Sequence, residues 1–161
     1  MYRSIQAQTS LTLPTNSGNS NTNYLNLDTM TVVPVYEAEL GTLHNLSTES
    51  INSDYTGTGY IAGWNANGEW VDFSVNVPSA GNYTLTFRYA AAAGNASRYL
   101  YINGAGVVNN LSFPNGGSWT NYLTLRATAT LHAGSNTISL IYDSSKGSTN
   151  YLNLDNLALS Q

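Results

Sequence analysis

No cysteine occurs in the 161 residues. A disulfide framework, a thiolate zinc site and a cysteine nucleophile are therefore excluded. Charge is almost as scarce, at 9% of the chain, and the five fixed cations are Arg3, Arg88, Arg98, Arg126 and Lys146. A nucleic-acid footprint needs clustered cations, and these are dispersed. No apolar run approaches the ~20 residues of a membrane-spanning helix. Neither nucleic acid nor membrane is expected as a partner. Asn, Ser, Thr, Gly and Tyr furnish the polar surface instead, a composition that suits a secreted bacterial protein. The opening Met1-Tyr-Arg-Ser lacks the apolar stretch of a signal peptide. Met1 reads as a start added to a fragment of a longer exported protein.

What is present is alternation with a period of two. Val71, Phe73, Val75 and Val77 alternate with Trp70, Asp72, Ser74 and Asn76. Tyr83, Leu85, Phe87 and Tyr89 alternate with Thr84, Thr86 and Arg88, and Leu123, Leu125, Ala127 and Ala129 repeat the pattern. Such runs predict antiparallel strands with one face inward. Turn residues separate them at Pro78–Asn82, Asn103-Gly104, Pro114–Gly117 and Ala133–Asn136. No amphipathic helix is expected, because Ala90–Ala93 is short and Gly94 closes it. The fold class is all-β, a β-sandwich or jelly roll.

One internal repeat organises the chain. Thr22-Asn-Tyr-Leu-Asn-Leu-Asp28 is identical to Thr149-Asn-Tyr-Leu-Asn-Leu-Asp155, 127 residues later. Leu11, Leu13, Met30 and Val32 extend the match to Ile138, Leu140, Leu157 and Leu159. An offset of that size is about one sandwich domain. Residues 1–33 are thus expected to be the terminal strands of a preceding tandem copy, or a linker. Residues 34–161 form the complete module. A strand motif reused within one domain is the plainer alternative.

Several landmarks then occur in order. They are Tyr36-Glu-Ala-Glu39, Gly57-Thr-Gly-Tyr-Ile-Ala-Gly-Trp64, Gly68-Glu-Trp-Val-Asp-Phe73, Val77-Pro-Ser-Ala-Gly-Asn-Tyr-Thr-Leu85, Tyr99-Leu-Tyr-Ile-Asn-Gly104, Gly116-Gly-Ser-Trp119, Ala133-Gly-Ser-Asn-Thr-Ile138 and Asn150-Tyr-Leu-Asn-Leu-Asp155. From Tyr36 to Ser160 the chain resembles carbohydrate-binding modules of families 35 and 6, more closely family 35. The resemblance implies a jelly roll without catalytic activity of its own. It implies a module that targets an appended glycoside hydrolase, or another polysaccharide-active enzyme, to plant cell-wall or similar polysaccharide.

Glu37 and Glu39 are two residues apart, which on a strand places both on one face. Asp155 lies near the far terminus, where a jelly roll brings its first and last strands together. Three carboxylates with backbone carbonyls suit calcium. The resemblance implies a structural calcium held by Glu37, Glu39 and Asp155, helped by carbonyls near Thr58 and Gly59. Solvated edge carboxylates are the alternative. Asp54 and a second calcium are a weaker candidate.

A sugar offers an apolar C–H face and a polar rim, so a binding site needs an aromatic platform beside hydrogen-bonding groups. Trp64 and Trp119 stand in Gly- and Asn-rich segments, while Trp70 opens a strand. The resemblance assigns ligand contact to Trp64, Trp119 and Asn150, with Tyr60 and Asn121 behind them. Core packing for either Trp, and turn formation for Asn150, are the competing roles. Arg98 and Lys146 are the cations in loop or loop-edge positions, and a neutral oligosaccharide or polysaccharide is expected over an acidic one.

Two rival functions remain. Glycoside hydrolysis needs two carboxylates across a cleft, and Glu69 and Asp72 fall on or beside one strand instead. His44 and His132 lack a nucleophile–base frame. A structural or adhesive tandem repeat is the second rival, favoured by the internal repeat.

Overall fold

The computed structural model describes residues 32–161. The segment expected to be strands of a preceding copy therefore lies, but for Val32 and Val33, outside the described residues. Eleven strands follow in order: Val35–Glu37 (β1), Thr42–His44 (β2), Ser47–Glu49 (β3), Tyr60–Ala62 (β4), Trp70–Val77 (β5), Gly81–Ala90 (β6), Ala96–Ile102 (β7), Ala105–Phe113 (β8), Leu123–Leu131 (β9), Gly134–Ile141 (β10) and Asn153–Ser160 (β11). Ala38–Leu40 and Ser144–Lys146 are single 3₁₀ turns.

Two antiparallel sheets face each other. One has the order β3-β4-β11-β6-β9 with β1 also paired to β11, and the other β2-β5-β10-β7-β8. This is the expected β-sandwich jelly roll. The alternating residues set which face goes inward: Val71, Phe73, Val75 and Val77 of β5 are buried, as are Leu85, Phe87 and Tyr89 of β6. Phe113 of β8 meets Phe87 and Tyr89 edge-on, with ring centroids 6.2 and 5.0 Å apart. Such pairs add about 0.5–1.5 kcal/mol beyond their burial.

The first and last strands meet as expected, with Val35 opposite Ala158 and Glu37 opposite Asn156. Strand β11 is the keystone, flanked by β6 on one side and by β4 and β1 on the other. Its pairing with β6 slips between Leu154 and Asn156. That bulge lets Leu152, Leu154, Leu157 and Leu159 all stay buried across a spacing that strict alternation forbids. The residue at the slip is Asp155, and it is fully buried.

Candidate functional site

Two polar constellations lie at opposite ends of one loop, residues 50–59. The first collects carboxylates. Strand β1 stops at Glu37, and Glu39 stands on the 3₁₀ turn that follows. The pair therefore does not share a strand face as the spacing suggested, yet both side chains reach the same loop. Thr56 Oγ1 donates to Glu37 Oε2 and Asp155 Oδ2, each at 3.0 Å. The Thr58 N–H and hydroxyl donate to Glu39 Oε1 over 2.8 and 3.1 Å. Gly57, at φ +66°, brings the backbone so close that a Cβ there would lie 2.5 Å from Glu39 Oε1. Only glycine combines that backbone angle with that approach.

Arg88 of β6 supplies an internal counter-charge. Its guanidinium pairs with Asp155, donates to the Asp54 carbonyl over 2.5 Å and lies 4.4 Å from the Tyr122 ring. Burial pushes the Glu37 carboxyl above its ordinary range. A hydrogen bond from Thr56 opposes that rise, and repulsion from Glu39 and Asp155 adds to it.

The fit to a cation rests on two observations that pull apart. Among the described residues no three His, Cys, Asp or Glu side chains converge tightly enough to enclose a metal ion by themselves. Glu39 Oε2, however, is buried with no hydrogen-bond partner. A buried, unpartnered carboxylate oxygen is costly. Calcium shells recruit backbone carbonyls beside carboxylates, so a site for it does not require three converging acidic side chains. The set of hard oxygens suits calcium. Thr58 meets Glu39 through its donor groups, and Gly59 lies against the Glu49 carbonyl.

The second constellation is a shallow open cleft of about 240 Å³, lined by Glu49, Asn52, Ala62, Gly63, Trp119, Tyr151 and Asn153. Trp119 is half-buried and Tyr151 is 46% exposed. Local hydrogen bonds shape the loop that presents Trp119. The Gly116 N–H donates to the Ala91 carbonyl over 2.8 Å, and Asn121 Nδ2 donates to the Gly116 carbonyl over 2.9 Å. A lining that combines two aromatic rings with carboxylate, amide and small residues can hold a sugar face and hydrogen-bond its rim.

Of the five residues expected to contact ligand, Trp119 alone lines this cleft. Trp64 is a correction: it is fully buried, and its Nε1 donates to the Glu69 carbonyl over 3.1 Å. A ring with no exposed face offers no platform. Tyr60 is also fully buried and acts from below, accepting from Asn52 Nδ2 over 2.8 Å and donating to Glu49 over 3.3 Å. Asn121 builds the Trp119 loop from outside the cleft. Asn150, at φ +54°, forms a turn, and its side chain donates to the Asn95 carbonyl over 2.7 Å. Its neighbour Tyr151 reaches the cleft instead. Sequence reasoning missed Tyr151, Asn153, Glu49 and Asn52. Tyr151 and Asn153 belong to the repeated heptapeptide, which was the available signal.

Arg98, expected as a loop-edge cation, is completely buried. It lies 4.7 Å from the Trp64 ring and 5.1 Å from that of Tyr142. It donates to the carbonyls of Trp64, Ser97, Thr149 and Asn150 over 2.6 to 3.0 Å. It thereby fixes the segment that carries Tyr151. The carboxylates of the enzyme reading are engaged elsewhere. Glu69 accepts from the N–H groups of Asn65 and Ala66. Asp72 accepts from Trp70 and Ser139 and pairs with His44.

Residues 37–161 match the family described as carbohydrate binding module (family 6). The chain is 39% identical over 124 residues to an isomaltosyltransferase of Sporosarcina globispora, covering 77% of this chain and 11% of that enzyme. It superimposes on a cycloisomaltooligosaccharide glucanotransferase of a Paenibacillus species, complexed with cycloisomaltoheptaose, with TM-score 0.75 and 36% identity over 80% of this chain and 18% of that one. A family 35 carbohydrate-binding module from Clostridium thermocellum gives TM-score 0.74 and 31% identity over 80% of this chain and 98% of the other. The chain spans about a tenth of the length of the curated relatives it matches first.

Proposed function

Because the chain belongs to the group of carbohydrate-binding modules formed by families 6 and 35, we propose that it is the non-catalytic sugar-binding part of a longer, secreted, polysaccharide-active enzyme. The observation that carries this is the cleft lined by Trp119 and Tyr151 together with Glu49, Asn52 and Asn153. The rings would stack on the sugar's C–H face, and the polar groups would take its hydroxyls. Its small volume suits one or two sugar units. Binding by one such cleft is weak, because a small ligand buries little area and water competes for each hydroxyl. Tandem copies, as the repeated heptapeptide suggests, would raise the apparent affinity for a polymer.

Among neutral polysaccharides, relatives named for isomaltosyl and cycloisomaltooligosaccharide transfer favour an α-glucan over the plant cell-wall polysaccharide first expected. Calcium, in this reading, is held by Glu37, Glu39 and Asp155 with loop carbonyls. It would supply fixed positive charge that ties β1, β11 and loop 50–59 together. Affinity electrophoresis against dextran, starch, xylan and mannan tests the proposal. Retardation by one glycan class supports it, and free migration in every gel favours a structural repeat unit instead.

A further inference from the structure

The cleft is acidic and carries no balancing cation. Among its seven lining residues Glu49 bears the charge, and no Lys or Arg joins it. The ion pairs among the described residues engage Asp72, Asp155 and Asp143 and leave Glu49 out. The carboxylate is half-buried and accepts a hydrogen bond from the Tyr60 hydroxyl over 3.3 Å. The same hydroxyl accepts from the side chain and backbone N–H of Asn52, over 2.8 and 3.3 Å. Tyr60 itself is immobilised, fully buried between the rings of Tyr55 and Tyr122 at 5.8 and 6.4 Å. A carboxylate positioned by Tyr60 and without an ion-pair partner thus belongs to the lining of the cleft that also holds Trp119 and Tyr151.

We propose that Glu49 selects ligands by charge: the cleft takes amine-bearing sugar units in preference to neutral ones and rejects uronic acids. This inference rests on the reading of the cleft as a sugar site and specifies its substrate class. An ammonium group gives Glu49 an ion pair on top of the hydrogen bond, where a neutral hydroxyl gives the hydrogen bond alone. A uronate brings a second carboxylate against the first, with no cation to share. In a half-open site the effect is screened, so the expected discrimination is on the order of tenfold on each side of neutral and shrinks with added salt. Tyr60 is a positioning residue here. Its ring packing survives loss of the hydroxyl, whereas its hold on Glu49 does not.

The test is an NMR titration of the whole chain with methyl glycosides of glucose, glucosamine and glucuronic acid. Mildly acidic buffer keeps the sugar amine protonated and the glucuronide ionised. The wild type is expected to bind glucosaminide about tenfold tighter than glucoside and to show no response to glucuronide. Glu49→Gln is expected to bring the three affinities within about threefold while keeping its Tm, and Tyr60→Phe to give an intermediate spread. Equal affinities in the wild type, or the wild-type order surviving in Glu49→Gln, overturn the charge selection but leave the cleft a sugar site. Silence from all three sugars overturns the sugar site and the inference with it.

Discussion

The backbone N–H of Thr56 donates to Asp155 Oδ1 over 2.8 Å, across ninety-nine positions of sequence. Loop 50–59 is thereby fastened to the last strand, while Glu37 fastens it to the first strand and Glu39 to the 3₁₀ turn after it. A cation among these carboxylates binds the folded state alone, so it stabilises by mass action. At a hundred times its dissociation constant the gain is about 2.7 kcal/mol, which for a domain of this size raises Tm by roughly 5–15 °C. Chelation is expected to lower Tm by that amount in the wild type and to leave Asp155→Asn unmoved. Differential scanning fluorimetry with and without chelator reads both. An unchanged wild-type curve removes calcium from the account.

The pH dependence should reverse with calcium. Without metal, burial raises the Glu37 pKa above its ordinary 4.5. The folded state then holds that proton more tightly than the unfolded chain does. The resulting stability is complete below about pH 4.5 and is lost as pH rises through the raised folded value. Chelated protein should gain Tm from this group as pH falls from neutral, and Glu37→Gln should flatten the gain. With calcium, the ligands must be ionised, so acidification should release the ion and lower Tm. Melting curves across pH, with and without chelator, check the crossing.

Arg98 should be the most sensitive cation among the described residues. Burial pushes it down to about 9, so it stays protonated at neutral pH, and it serves four backbone carbonyls. Arg98→Met leaves those acceptors without a donor, at about 1–3 kcal/mol each where they remain buried. A loss of at least about 3 kcal/mol, read by urea unfolding, is expected. Arg126→Met on exposed β9 should change stability by less than about 0.5 kcal/mol.

Strand alternation made the sandwich legible, because a buried face every second residue leaves few other folds for Val71–Val77 or Tyr83–Tyr89. The carboxylate cluster was legible in membership but not in geometry. Glu39 leaves the strand for a 3₁₀ turn, and Arg88 and Thr56, which complete the cluster, look in sequence like ordinary outward strand and loop residues. The bulge at Asp155 was visible as a broken alternation, with Leu152 and Leu154 followed by Leu157 and Leu159. The cleft was the least legible part. Gly-rich flanks look alike around Trp64 and Trp119, and burial of one follows from Arg98, thirty-four residues away, closing over it.

That difference gives the two tryptophans opposite roles. Trp64→Ala should cost about 3–5 kcal/mol of stability by leaving a cavity beside Arg98. Trp119→Ala should cost about 1 kcal/mol or less, because its ring is half in solvent. Urea unfolding of both variants separates them, and equal losses would contradict the assignment.

The most direct measurement is isothermal titration of the retained glycan into wild type, Trp119→Ala and Tyr151→Ala, with each variant's Tm recorded beside it. The account predicts at least about a tenfold loss of affinity in both variants with Tm lowered by no more than a few degrees, as expected when an aromatic platform is removed. Wild-type affinity in both would place the sugar elsewhere on the molecule and contradict the central claim.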